Sequence, residues 1–224
     1  MDGLLLAVDT STKTASVALY DGSSVRAEMT WESPRRHTIE LAPQVVFMLN
    51  RLKTDASALI GLAVAIGPGS FTGLRIGMAL VKGLALARSI PLGGIPTLDI
   101  AAYSLSRRRG TLYATLQAGR GRICVAPYRW RRGEWRRVDE IGISTWAALA
   151  AEAGDGAIFC GEVDADGLAA LASRAIKTTI VPAAQRLRRA GYLAELGWRR
   201  LAQGDQDDPA TLQPIYLHTA LTEP

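Results

Sequence analysis

Histidine is nearly absent. His37 and His218 are the two imidazoles in 224 residues, and almost the whole chain separates them, so general acid–base chemistry has few side chains to use. Cysteine is as scarce. Cys124 and Cys160 have neither C-x-x-C spacing nor histidine-rich surroundings, which argues against a disulfide framework or a zinc site and leaves two buried thiols as the expectation. No apolar run reaches the roughly 18 residues that a spanning helix needs. The opening MDGLLLAVDTST lacks the basic flank and small-residue cleavage pattern of an export signal, so the expected location is the cytoplasm.

What the chain does have is apolar substance and unevenly placed charge. Hydrophobic residues make up 48% of the sequence, which suffices for a sizeable core and argues against disorder. The formal charge is +5, but residues 1–103 carry nine bases against eight acids, whereas residues 104–140 hold ten arginines against three acids. Such a patch attracts phosphates, and it also serves as a solvated face that keeps a protein soluble.

Periodicity gives the order of elements. GLLLAV at residues 3–8 and the alternating ASVALYDGSSVRAEMTW, broken by Asp21-Gly22, read as a three-strand meander. Leu41, Val45, Leu49 and Leu52 recur at helical spacing, with Pro43 starting or kinking that helix. GLAVAIG, a helix over 71–89, the short strand PLGGI and a helix opening at Thr97 complete a βββαβαβα unit. The second half repeats this grammar with little residue identity. TLYATLQA, RICVAPYRW and EWRRVDEI read as strands, STWAALAAEA as helix, AIFC as strand, DGLAALAS as helix, TTIV as strand and 186–203 as an amphipathic helix. Duplicated βββαβαβα units with mixed sheets and helices on both faces predict an α/β, two-lobed, actin-like (RNase H-like) fold. The expected lobes are residues 1–105 and 106–224, with the last segment packing back on the first lobe and a loose tail in QPIYLHTALTEP.

The densest motif is AIGPGSFTGLRIG, residues 65–77. A glycine turn opening a helix can cradle phosphate on its free N–H groups. However, no Lys-Ser/Thr pair follows as in a Walker loop, and Gly67, Gly69, Gly73 and Gly77 do not fit G-x-G-x-x-G. Ser70 is not in a G-x-S-x-G elbow either. A packing role uses the spacing itself: Gly69, Gly73 and Gly77 recur every fourth residue and clear a stripe along which another backbone can approach. Because Leu74, Ile76, Met78, Leu80, Val81, Leu84 and Leu86 surround that stripe, the helix is apolar on most sides and needs neighbours on most sides. Candidates are the helix of residues 37–52, a second copy, or a different subunit.

LLLAVDTSTKTASVALYDG, RRHTIELAPQV, AIGPGSFTGLRIGMALVKGLA, PLGGIPTL and QPIYLH, in that order, resemble the TsaB (YeaZ) family, most strongly over residues 3–103. The resemblance implies a noncatalytic actin-like subunit that binds a larger relative, TsaD, and enables threonylcarbamoyl transfer to the adenosine at position 37 of tRNA. It also implies TsaE, an ATPase, in the full assembly, and a homodimer through the same surface when TsaD is absent. Where TsaD carries a His-x-Glu-x-His helix start, this chain has Thr97-Leu98-Asp99-Ile100-Ala101, without either imidazole. Thr97 reads as a cap and Asp99 as a first-turn acid favoured by the helix dipole. The expected partner interface comprises His37, Leu41 and Val45 on the first helix and Gly73, Arg75, Gly77, Met78, Val81 and Lys82 on the second, as contacts or their immediate support. Asp9, Thr10, Ser11 and Thr12 occupy the hairpin at which actin-like ATPases hold magnesium and phosphate. They are the candidates for a weak nucleotide contact, although turn formation alone explains DTST. No catalytic residue, metal ligand or cofactor of its own is expected; ATP or ADP and a metal ion belong to the complex. The alternative is a self-sufficient nucleotide-dependent transferase or kinase using an interlobe cleft and Asp9.

The second half departs from the family pattern, with Gln117-Ala118-Gly119 and Gly121-Arg122 where an Asp-Ala-Arg and a Gly-Glu are usual. It also contains YRWRRGEWRRV, residues 128–138, a hairpin of arginines and tryptophans. Two readings stand: guanidinium groups and rings that meet RNA, or an edge hairpin whose charges prevent aggregation while Trp130 and Trp135 cover each other.

Overall fold

The computed structural model describes residues 3–34, 36–174 and 176–217. Its chain divides into two compact units, Met1–Ile100 with Arg189–Ile215, and 101–188 with Tyr216 and Leu217.

The first unit opens with strands β1 (Leu4–Asp9), β2 (Thr14–Tyr20) and β3 (Val25–Glu32), followed by helix α1 (His37–Arg51). Strand β4 (Leu59–Ala65), helix α2 (Phe71–Arg88), strand β5 (Leu92–Ile95) and helix α3 (Thr97–Tyr103) come next. The five strands form one sheet in the order β3-β2-β1-β4-β5, antiparallel over the meander and parallel from β1 through β5. The continuous apolar run of β1 reflects cover on both faces. Leu6, Val8, Val17 and Leu19 pack with Leu41, Val45, Met48, Met78 and Val81 of α1 and α2. Leu5, Ala7, Ala18 and Tyr20 face the other way, onto helix α7 (Ala190–Ala202) through Leu193 and Ala194.

In the second unit β6 (Leu112–Gly119), β7 (Arg122–Arg131) and β8 (Glu134–Arg137) make the meander, and β9 (Gly142–Thr145) adds to β7. Helix α4 (Trp146–Glu152), strand β10 (Ile158–Gly161), helix α5 (Ala165–Ala172), strand β11 (Thr179–Ile180) and the short helix α6 (Ala183–Arg186) follow. The sheet order is β11-β10-β6-β7-β8, antiparallel over the meander and parallel from β6 through β11. Taken strand for strand this is the topology of the first sheet, so the duplicated grammar of the sequence is a duplicated structure. Strand β9 was not anticipated. Helix α7, part of the last segment that the sequence reading packs back on the first lobe, belongs to the first unit, because the apolar second face of β1, β2 and β4 needs a cover. Residues 218–224, with His218 and the expected loose tail, lie outside the described residues.

Candidate protein interface

The glycine-rich motif meets the molecule's own chain. Ser70 caps α2, its hydroxyl accepting from Gly73 N at 3.2 Å, while Ser70 N donates to the Ser11 carbonyl at 2.6 Å. Thr10 Oγ1 donates to the Gly73 carbonyl at 2.7 Å. A Cβ at Gly69 would overlap the Ser11 carbonyl oxygen, one at Gly73 the Thr10 carbonyl oxygen, and one at Gly77 the Thr10 hydroxyl. The four-residue glycine period therefore clears a channel for the β1–β2 turn, which lies against α2. Another backbone does approach along this stripe, and it is the chain's own β1–β2 turn. The reading of Thr97 as a cap is corrected: it is the first residue of α3, and its hydroxyl accepts from Gly67 N at 3.1 Å, tying the GPG loop to α3.

The same contact decides what the DTST turn can present. Asp9, Thr10, Ser11 and Thr12 are all buried. Asp9 Oδ1 accepts from Ser11 N at 2.8 Å and from Ser11 Oγ at 2.5 Å, and His37 Nε2 donates to the Thr12 carbonyl at 2.9 Å. His37 thus secures the start of α1 to the turn. Thr12 lines a cavity of about 650 Å³, together with Lys13, Glu32, Ser33, His37, Ser70 and Thr72. Among the described residues no three of His, Cys, Asp and Glu gather as a metal cage, and no helix is long and apolar enough to cross a membrane.

Of the expected interface residues, Leu41, Val45, Gly73, Gly77, Met78 and Val81 are buried beneath the helices, so they can support a contact but cannot make one. The reason is periodicity. On each helix these positions form the inward stripe, and the sheet takes it. Arg75 is exposed, with its guanidinium 3.8 Å from the centre of the Phe71 ring, and Lys82 is half-buried. The outward stripe is a different set. Ile39 (62% exposed), Val46 (54%) and Phe47 (51%) lie on α1, and Phe71 (52%) and Leu86 (67%) on α2. Exposed Ala79 and Gly83 continue the α2 stripe, and nothing lies within 4 Å of where a Gly83 Cβ would stand. Apart from Leu86, the sequence reading passed over these positions, although HTIELAPQVVFMLNR carries more apolar residues than one buried face can use, and the surplus at 39, 46 and 47 falls on the opposite side.

A mixed sheet of one topology built twice, with helices over both faces of the first copy, defines an actin-like α/β protein. A family model described as "TsaD: tRNA N6-adenosine threonylcarbamoyltransferase" matches residues 30–155. The chain is 37% identical over 134 residues to the tRNA threonylcarbamoyladenosine biosynthesis protein TsaB of Escherichia coli, a match spanning 58% of each chain. It is 30% identical over 160 residues to the protein of that name from Bacillus subtilis, covering 70% of each. YeaZ from Pseudomonas aeruginosa superposes with a TM-score of 0.80 at 27% identity, over 96% of this chain and 100% of that one. The chain belongs to the TsaB (YeaZ) family.

Proposed function

We propose that this chain is a noncatalytic subunit of threonylcarbamoyladenosine synthesis in tRNA, and that it docks TsaD through the outward faces of α1 and α2. The observation that carries the reading is the apolar outward stripe of Ile39, Val46, Phe47, Phe71 and Leu86, which sits over a core already complete without it. Large apolar patches on a folded surface mark contact sites. The relatives' name supplies the pathway. Arg75 and Lys82 give this face a basic rim, and the buried residues of both helices hold its shape. In the absence of TsaD the same face pairs two copies of the chain, and TsaE joins the assembled complex. The chain needs no cofactor of its own; ATP or ADP and a metal ion act within the complex.

Co-purification with TsaD tests this. Phe47→Glu and Leu86→Glu should each weaken the complex at least 100-fold, about 3 kcal/mol, while the unfolding free energy from urea denaturation stays within about 0.5 kcal/mol of wild type, as for exposed positions. Undiminished binding would remove the surface from consideration. Robust transfer by the chain alone, abolished by Asp9→Ala, would favour the self-sufficient transferase instead.

A further inference from the structure

We propose that the β7–β8 hairpin, with the arginine run that precedes β6, is an RNA-binding surface that engages tRNA. Direct cross-strand partners share a face of the ribbon. Arg129 opposes Arg136 and Arg131 opposes Glu134 on the outer face, whereas Trp130 opposes Trp135 on the inner one. Arg129, Arg131, Arg132, Arg136 and Arg137 are all exposed. Like charges directly opposite one another destabilise a ribbon, a cost at Arg129–Arg136 that the Glu134–Arg136 bridge reduces and an anionic ligand would reduce further. Glu134 is the one acid between residues 128 and 138, and it is bridged to Arg136 at 2.6 Å, which leaves the other guanidinium groups of the hairpin without a carboxylate on it.

The ribbon is braced from beneath. The Trp130 and Trp135 rings meet edge to face with centroids 5.5 Å apart, and Trp135 Nε1 donates to the buried Leu105 carbonyl at 3.0 Å. That bond fixes the hairpin next to the segment Arg107-Arg108-Arg109, of which Arg107 and Arg109 are exposed. Two arginine groups distant in sequence thereby lie on neighbouring segments of the second unit. At the tip, Arg132 adopts a left-handed φ of 51° beside Gly133 at 89°, in a two-residue turn where Asn or Gly is usual. Outward residues two apart on a strand are about 6.8 Å apart, a spacing suited to successive phosphates. Guanidinium groups pair with phosphate in two-pronged fashion.

A guard against edge-to-edge pairing is the competing explanation for charge on β8, an end strand of its sheet. Charge of either sign serves as a guard, whereas only positive charge binds RNA, and the test uses that difference. The full chain is titrated against unfractionated bacterial tRNA in a mobility-shift assay at several salt concentrations. Wild type should bind with a steep salt dependence. The variant carrying Arg129→Glu, Arg131→Glu and Arg132→Glu should bind at least 30-fold more weakly. Its log–log salt slope should be shallower by about 2 to 3, since each lost phosphate contact removes about 0.7 to 0.9. Its thermal midpoint should be unchanged. Affinity within twofold of wild type, or a wild-type chain that captures an acidic protein but shifts no tRNA, would overturn the proposal.

The choice of tRNA among RNAs rests on the family reading, and the two fail separately. Phe47→Glu should keep tRNA binding while losing TsaD, and the hairpin variant should do the reverse. If TsaD binding proves absent while the hairpin variant still loses tRNA, the RNA surface stands and the docking reading falls.

Discussion

In the first unit the distinguishing residues are glycines turned inward against a turn and apolar side chains turned outward on α1 and α2. In the second they are arginines turned outward over a buried tryptophan, on a sheet of the same strand order. The shared sheet shows that neither set is needed for the strand order itself. What differs is the surface each unit offers, greasy in one and cationic in the other. Duplication of a scaffold therefore leaves each copy free to carry a separate contact.

The comparison can be broken first at the inward glycines, where the largest effect is expected. Gly73→Ala forces a methyl onto the Thr10 carbonyl, a backbone atom that cannot swing away, and should cost about 3 kcal/mol in urea denaturation. An unchanged midpoint would show that the turn yields and that the glycine period has another purpose.

A second effect is confined to the other unit, which holds both thiols. Burial pushes Cys160 up to about 12 and Cys124 up to about 11, from an ordinary value of 9.0. The folded state keeps these protons where the unfolded chain releases them. Their stabilisation is thus complete below pH 9 and is lost as the pH rises from there toward 12. Each buried thiol should contribute a loss of about 1 kcal/mol per pH unit in that window. Melting between pH 8 and pH 10 should show the decline, and a Cys124→Ala, Cys160→Ala variant should flatten it.

The smallest effect sharpens the contrast within α2 itself. Gly83 faces open space on the outward stripe, so Gly83→Ala should stabilise by about 1 kcal/mol or less, opposite in sign to Gly73→Ala ten residues earlier. Two glycine-to-alanine changes on one helix would then report which side touches the protein.

Much of the fold was legible. The continuous run of β1, the alternation of β2 and β3 and the helical spacing of Leu41, Val45 and Leu49 follow from local periodicity, and the repeat of that order implied two like sheets. The proposed docking face was legible only in kind. Apolar period identified α1 and α2, but Leu41, Val45, Met78 and Val81, chosen as contacts or their support, lie on the stripe that the sheet covers, because a helical pattern does not say which of two apolar sides meets its own sheet. The identity of the backbone that fills the glycine channel was also out of reach, since Thr10 and Gly73 lie 63 residues apart.

Taken alone, the sequence determined the element order, the duplication, the family and the concentration of arginine in residues 104–140, all of which depend on neighbours along the chain. Only the tertiary structure decided that α7 closes the first sheet, that the β1–β2 turn occupies the glycine channel, and that Leu105 joins two arginine groups through Trp135. These are contacts between distant segments, settled by which apolar faces and which unpaired polar groups must be covered once the chain is compact.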